Sequence, residues 1–222
     1  MEQPWCNGNI AVFGMSYLGL TAYAAAGSKH GTKVMAMFPI VTCAKTHSII
    51  YHSGGALAAE LVFKWLWIAV KLMQLGTLHT LRFFIPFLHG EVNEALNRLP
   101  LSAQDENLFG KPLGYFQDVI RAPDEDHEFW EGKNMLCDLE ARGIPNHIIG
   151  GWYDFFLRQS FNDLESSVRS GKPAHMTVFP TDHWGIANQT GQTLCLSLDW
   201  FNQHLKGNKP TNMASKRNII TV

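Results

Sequence analysis

The sequence is poor in charge and has no excess of either sign. Lysine and arginine number 18 against 19 aspartates and glutamates, so the formal net charge is −1, and only 17% of the residues are charged. A protein that coats nucleic acid or an anionic membrane needs a clear basic excess, so this balance argues against both functions. Because 46% of the 222 residues are hydrophobic, the chain is not of the disordered class and should bury a sizeable core.

Paired cysteines and export signals are also missing. The four cysteines, Cys6, Cys43, Cys137 and Cys195, form no C-x-x-C pair, which argues against a zinc module or a disulfide scaffold and predicts isolated, buried thiols. The first residues, MEQPWCNGN, lack the charged and then apolar run of a signal peptide. Unpaired cysteines favour the cytoplasm, but the sequence does not determine the compartment.

The most apolar region, residues 57–88, is interrupted by charged side chains. No uncharged run of about eighteen residues remains there, so amphipathic helices are expected rather than a membrane span. An interfacial helix that associates with lipid is a further interpretation of this region, because it contains Trp65, Trp67, Phe83, Phe84 and Phe87. We disfavour it, since such patches more often bury themselves inside a protein, and we expect no membrane partner.

Short apolar runs and helical periodicities alternate near both ends of the chain. Four runs are predicted as buried parallel strands: 10–13, 34–38, 146–149 and 176–179. Three helices are predicted beside them: 18–26, 157–168 and 194–205. This order predicts an α/β fold with a parallel sheet. Residues 42–142 are predicted as an inserted helical cap between two parts of the core, 1–41 and 143–222.

Three strand ends carry the residue types of a hydrolytic site. The first strand leads into Gly14-Met15-Ser16-Tyr17-Leu18-Gly19, a turn that would push the serine hydroxyl clear of the backbone at a helix N-terminus. Asp154 follows the third strand and His183 the fourth, and the chain order Ser, Asp, His is that of α/β-hydrolases. In acyl transfer, Ser16 would be the nucleophile, His183 the general acid/base and Asp154 the orienting acid. The backbone N–H of Tyr17 would bind the oxyanion.

Each of these residues has a simpler interpretation. Ser16 could be only a turn residue, Asp154 only the N-cap of the next helix, and His183 only one of ten histidines. The usual G-x-S-x-G motif also has its second glycine two residues after the serine, where this chain has Leu18. We favour the catalytic interpretation because all three residues fall at strand ends in the required order. Other acids and histidines fit less well: Asp163, Asp182, His147 and His175.

At these residues the sequence resembles the CocE/NonD serine hydrolases, the cocaine-esterase and X-Pro dipeptidyl-peptidase group (peptidase family S15). The segment Trp5-Cys6-Asn7-Gly8, followed by the turn around Ser16, resembles the W-C-x-G and G-x-S-Y-x-G signatures of the group, which accounts for the displaced glycine. Gly151-Trp152-Tyr153-Asp154 resembles the G-W-Y-D that carries the acid. The glycine pair at 54–55 and the acidic segment 123–130 extend the resemblance over nearly the whole chain.

The resemblance implies an α/β-hydrolase core with an inserted helical cap and a C-terminal jelly-roll domain. The acyl-transfer mechanism itself is expected to need no metal or organic cofactor. Trp65 and Phe156 match by position aromatic residues that line the acyl pocket of the family, and Trp152 is added as a substrate-binding candidate. Trp65 fits the core of the cap equally well. The strands that precede the nucleophile, and a tyrosine that gives a second oxyanion donor, have no counterpart here, so we expect the central piece of a longer protein.

The predicted function is hydrolysis of small ester or amide substrates through an acyl-enzyme. An alternative within the same chemistry is cleavage of short X-Pro peptides, in which the acidic residues 124–128 would hold a free amino terminus. A different class is a truncated, catalytically inert module of hydrolase shape. The exposed edge of strand 10–13 also invites pairing with another chain, which would give a homo-oligomer.

Overall fold

The computed structural model describes residues 4, 6–75, 90–209 and 218–220 of the chain. The strands are β1 (Ile10–Met15), β2 (Val34–Ile40), β3 (Asn146–Gly151), β4 (Ala174–Phe179) and β5 (Asn218–Ile220). The α-helices are α1 (Tyr17–Gly27), α2 (His47–Ile50), α3 (Ala59–Leu75), α4 (Gly90–Leu96), α5 (Gln104–Phe109), α6 (Gly114–Arg121), α7 (Leu136–Arg142), α8 (Leu157–Arg169) and α9 (Thr190–Lys206). Short 3₁₀ helices span Gly31–Lys33, Leu101–Ala103, Glu128–Trp130 and Gly185–Gln189.

The strands form one sheet in the order β1-β2-β3-β4-β5, and each neighbouring pair is parallel. Parallel strands need crossover connections, and α1, α8 and α9 follow β1, β3 and β4 for this reason. The predicted α/β class with a parallel sheet and a helical insertion is therefore confirmed. β5 was not predicted from the sequence, because three residues are too few to give a periodic signal.

The second strand is longer than predicted. We expected it to stop at Pro39, but β2 continues to Ile40, and Pro39 pairs with Gly14 of β1. Met37 N–H donates to the Pro145 carbonyl on the other side of β2, at 2.8 Å. Proline cannot donate a hydrogen bond to a ladder. Pro39 therefore removes one hydrogen bond between β2 and β3, and β2 continues past it.

The helices beside the sheet do not bury the apolar rows that the periodicity suggested. In α8 the side chains of Phe161 and Val168 are exposed, whereas those of Ser160, Asp163 and Ser166 are buried. The buried face can be polar because its groups find partners: Asp163 Oδ2, for example, accepts a hydrogen bond from the Ala44 N–H at 2.9 Å. Burial raises the pKa of Asp163 from 3.8 to about 7, although this hydrogen bond opposes the rise.

Two compact units can be distinguished. One contains residues 1–46 and 132–222 and includes the sheet; the other contains residues 47–131 and is helical. The helical unit has its own core, in which the rings of Phe63 and Phe116 lie 4.8 Å apart. The boundaries 42 and 142, and the function of this unit as a cap, stay predictions.

Two expectations concern the surface of the described residues. Cys43 is buried, but Cys137 and Cys195 are exposed, so the prediction of buried thiols is wrong for these two.

β1 is an edge strand of the described sheet, and Phe13 on it is 66% exposed. Pairing of this edge with another chain stays a prediction.

Over the described ranges, no helix combines the length and the apolar character that crossing a bilayer requires. The predicted apolar region 57–88 is only partly covered, since Phe83, Phe84 and Phe87 lie outside the described residues.

Three histidines pack around Trp200 beside the sheet. The rings of His147 and His175 lie 5.4 and 5.0 Å from Trp200, and that of His204 lies 4.1 Å from it. His147 is buried, and its Nε2 lies 3.0 Å from Thr177 Oγ1. Burial, assisted by the neighbouring His175, lowers the pKa of His147 from 6.5 to about 3.

We predict that His147 makes the fold acid-sensitive. Its folded-state pKa lies below its unfolded value, so the unfolded chain binds the extra proton between pH 6.5 and about 3, and stability falls as the pH drops through this window. The free energy of unfolding should decrease by up to about 1.4 kcal/mol per pH unit more steeply in the unaltered chain than in His147→Gln. Urea unfolding at pH 7.5, 5.5 and 4.5 measures this difference.

Comparing the two proteins also removes the contribution of Asp163. The raised pKa of Asp163 stabilises the fold at low pH, and this stabilisation is lost as the pH rises towards 7, which is opposite in sign to the effect of His147. Asp163 is present in both proteins, so its contribution cancels in the comparison. His30→Gln, at an exposed histidine, is the matched control. Parallel pH profiles for the unaltered chain and His147→Gln would contradict the prediction.

Candidate active site

The turn between β1 and α1 consists of one residue, Ser16. Its backbone angles are φ 55° and ψ −123°, a region that L-residues rarely occupy and that costs about 1–3 kcal/mol. The Ser16 N–H donates to the Ile40 carbonyl at 2.9 Å, which continues the β1–β2 pairing into the turn. A Cβ at Gly14 would lie 2.3 Å from the Leu18 carbonyl oxygen. Glycine is therefore required two residues before the serine.

The displaced second glycine has an explanation in the structure. A Cβ at Gly19 would lie 2.4 Å from Cγ2 of Thr42, in the segment after β2. Leu18, at the position where the common motif has glycine, points to the surface and is exposed. In this chain it is Gly19, one residue later, that packs against Thr42, so the glycine is needed at that position.

Asp154 lies in the turn between β3 and α8 and is buried. Its Oδ1 accepts a hydrogen bond from the Phe156 N–H at 2.7 Å, and its Oδ2 lies 2.5 Å from Nδ1 of His183. The interpretation of Asp154 as only the N-cap of the next helix is wrong, because the residue at the N-cap of α8 is Phe156. One carboxylate oxygen of Asp154 binds the backbone of the turn before the helix, and the other holds the imidazole.

His183 follows β4 in a turn that is closed by its neighbour. Asp182 Oδ1 accepts a hydrogen bond from the Gly185 N–H at 2.6 Å, so that carboxylate is used within the turn. The His183 Nε2 lies 2.9 Å from Ser16 Oγ. Because Nδ1 faces a carboxylate, the proton of a neutral imidazole belongs on Nδ1, which leaves Nε2 free to accept the serine proton. Ser16, His183 and Asp154 form one hydrogen-bonded chain.

Aromatic rings surround the imidazole of His183. Phe155 lies over it with a centroid distance of 4.6 Å and an angle of 30°, and Phe156 lies 5.6 Å away. Trp184 contacts it edge-on at 5.4 Å. Phe155 is 46% exposed, whereas Phe156 is 3% exposed. Sequence reasoning missed Phe155 and Trp184, although each adjoins a residue of the hydrogen-bonded chain.

The remaining predicted site residues lie in three different places. Tyr17 is the first residue of α1, so its N–H is at the helix N-terminus beside Ser16. Trp152 is partly exposed and follows β3, and its N–H donates to the Phe179 carbonyl at 2.9 Å. Trp65 lies in α3 of the helical unit and is also partly exposed. The substrate-binding assignments of Trp65, Trp152 and Phe156 stay predictions, and Trp5 lies outside the described residues.

Within the ranges that the structure describes, no group of three or more histidine, cysteine, aspartate or glutamate side chains is arranged to hold a metal ion.

The chain is similar to several known proteins. Cocaine esterase from Rhodococcus sp. (strain MB1 Bresler) is 30% identical over 204 residues, which are 86% of this chain and 33% of that protein. A crystal structure of a CocE/NonD family hydrolase from Staphylococcus aureus superimposes with a TM-score of 0.65 at 18% identity, covering all of this chain and 33% of the other. A second crystal structure of that hydrolase gives 0.64 at 17% identity.

The chain thus spans about a third of the length of these relatives. The structural similarity, at such low identity, supports the α/β-hydrolase fold alone. The family described as X-Pro dipeptidyl-peptidase (S15 family) matches residues 1–185, a range that includes the turn of Ser16, the turn of Asp154 and His183. The chain therefore belongs to the X-Pro dipeptidyl-peptidase (S15) family and is similar to hydrolases of the CocE/NonD type.

Proposed function

We propose that this chain carries the catalytic residues of a serine hydrolase that cleaves ester bonds through an acyl-enzyme. One observation carries the proposal: Ser16 Oγ, His183 and Asp154 are joined by hydrogen bonds of 2.9 and 2.5 Å. Residues from three separate turns meet in the geometry that a nucleophile, a general base and an orienting acid require. A serine placed only to make a turn needs neither partner.

The reaction follows from the positions of these groups. Ser16 Oγ attacks the ester carbonyl carbon while its proton passes to Nε2 of His183, and the carboxylate of Asp154 stabilises the imidazolium. The tetrahedral oxyanion is bound by the Tyr17 N–H at the positive end of α1. When the C–O bond breaks, His183 returns the proton to the leaving alcohol. A water activated by the same imidazole then releases the acid and restores Ser16.

An ester is favoured over an X-Pro peptide as the substrate. A peptidase of that type must hold a free amino terminus with enclosed carboxylates, and the acidic residues proposed for this purpose are Asp124, Glu125, Asp126 and Glu128. All four are exposed, as expected of a solvated loop. A charged amine there would gain little, because exposed ion pairs contribute about 0–1 kcal/mol.

Turnover by the chain alone is expected to be slow. The Tyr17 N–H is the one oxyanion donor that we assign, and loss of one donor in such a site typically lowers the rate about 10²–10³-fold. Acylation of Ser16 by a reactive probe is therefore a better test than turnover of an ordinary ester.

The test is covalent labelling of the 222-residue chain with a fluorophosphonate. We expect one probe per chain, located on Ser16 by peptide mass spectrometry, and no labelling of Ser16→Ala. Ser197→Ala, at a serine of α9 outside the site, is the control that should label normally. A folded sample that takes up no probe, or takes it up on another residue, would contradict the proposal and favour the inert module.

A further inference from the structure

A buried segment of four residues connects the sheet to the turn of the nucleophile. Val41, Thr42, Cys43 and Ala44 follow β2, and all four are at most 1% exposed. We call Val41–Ala44 the β2 strap. It is part of the same compact unit as Ser16, His183 and Asp154, and the reaction described above gives it no role.

The strap contacts the backbone of the nucleophile directly. The Thr42 Oγ1 donates a hydrogen bond to the Ser16 carbonyl at 2.8 Å. The same carbonyl accepts from the N–H groups of Gly19 and Leu20 at 2.9 and 3.1 Å, which are bonds of the first turn of α1. Within the described part of the chain, the hydrogen bond from Thr42 is the one that the Ser16 carbonyl accepts from outside α1. The methyl group of Thr42 also occupies the space left by the absent side chain of Gly19.

The strap is itself held by α8. Ser160 Oγ donates to the Thr42 carbonyl at 3.1 Å, and Asp163 Oδ2 accepts from the Ala44 N–H at 2.9 Å. Both side chains are buried. At the start of the strap, the Val41 N–H donates to the Ile149 carbonyl of β3 at 2.8 Å.

The backbone of the strap departs from ordinary values, as that of Ser16 does. Val41 has φ 40°, and a β-branched residue at positive φ is an outlier. Such conformations persist where the surroundings hold them. Ser16 and Val41 are the two positive-φ residues other than glycine among the described residues, and Thr42 adjoins one and binds the other.

We propose that Thr42 is a positioning residue for Ser16: its hydroxyl holds the serine carbonyl, and so keeps Oγ in line with Nε2 of His183, while Ser160 and Asp163 of α8 hold the strap. This inference rests on the proposed function of Ser16. The helix α8 begins three residues after Asp154, so the helix that holds the strap also follows the turn of the orienting acid.

The proposal predicts a specific kinetic signature. Thr42 touches the nucleophile's backbone and neither His183 nor Asp154 in the described contacts. Removing its hydroxyl should therefore lower kinact, the rate constant for bond formation between Ser16 and the fluorophosphonate. The binding constant KI of the probe and the pH dependence of kinact should stay unchanged. A small displacement of a reacting atom can lower a rate by up to about 10²-fold.

The experiment compares three variants of the 222-residue chain. Thr42→Val keeps the shape and removes the hydroxyl, and we expect kinact to fall about 10–100-fold. Thr42→Ser restores the hydroxyl and should recover most of the rate. Thr177→Val removes a buried threonine hydroxyl of β4 that pairs with His147, and it controls for the general loss of a buried hydrogen bond. Thermal melting of each variant shows that it is folded at the assay temperature.

The outcomes separate the two proposals. If the unaltered chain is not labelled, the proposed function fails and this inference fails with it. If the unaltered chain is labelled and folded Thr42→Val reacts at the same kinact, only the role of Thr42 is overturned. A loss that Thr42→Ser does not recover, or that Thr177→Val reproduces, would overturn it as well.

Discussion

Replacing Asp154 by asparagine is expected to lower the rate of ester hydrolysis about 10⁴-fold with the fold intact. The side-chain carbonyl of asparagine can still accept a hydrogen bond from the Phe156 N–H, so the turn before α8 keeps this bond. Its NH₂ group, however, would face Nδ1 of His183 where Oδ2 now lies. A donor at that place favours the imidazole with its proton on Nε2, and that tautomer cannot accept the proton of Ser16.

The neighbouring acid provides the matched control. Asp182→Asn removes the same charge one residue before His183, but its carboxylate is used by the Gly185 N–H, and an amide oxygen can replace it. Rates of p-nitrophenyl ester hydrolysis and of fluorophosphonate labelling should fall in Asp154→Asn and stay near those of the unaltered chain in Asp182→Asn. Equal rates in the two variants would exclude Asp154 as the orienting acid.

Replacing Gly14 by alanine is expected to destabilise the fold by at least about 3 kcal/mol and to abolish labelling of Ser16. The new Cβ would lie 2.3 Å from the Leu18 carbonyl oxygen and 2.7 Å from the Gly19 nitrogen. Both are backbone atoms at the start of α1, so no side-chain rotation relieves the overlap. The helix must move away from β1, and the turn that presents Ser16 is lost.

The control is a glycine with space around it. A Cβ added at Gly191, near the start of α9, would meet no other atom within 4 Å. Gly191→Ala should raise the free energy of unfolding by about 0.5–1 kcal/mol, because alanine loses less backbone entropy than glycine in a helix. Urea unfolding of the two variants measures both effects. Similar stability of Gly14→Ala and the unaltered chain would show that the turn can relax, and the expected clash would then be wrong.

The sequence carries enough local information to predict the sheet and to select candidates for the site. Apolar runs ended by glycine or proline mark β1, β3 and β4, and the candidates Ser16, Asp154 and His183 come from the ends of these strands. Parallel strands bring their carboxyl ends to one edge of the sheet, so residues far apart in the chain meet there. The catalytic role of these residues stays a prediction until labelling tests it.

What the sequence did not predict depends on contacts between distant segments. The buried face of α8 is polar because Ser160 and Asp163 find partners in the β2 strap, more than a hundred residues away. Hydrophobic periodicity does not depend on such hydrogen bonds, so it predicted that Phe161 is buried, whereas Phe161 is exposed. The need for glycine at position 19 likewise depends on Thr42, and no spacing rule for the motif reports that contact.

The backbone angles of Ser16 have a consequence for the evolution of such a chain. A residue without a side chain occupies that region of backbone space with less strain, so glycine at position 16 would make the protein more robust to heat. A lineage that kept this chain only for its shape would gain by that exchange. Under the proposed function, the hydroxyl group of Ser16 compensates for this loss of robustness, because it supplies the nucleophile.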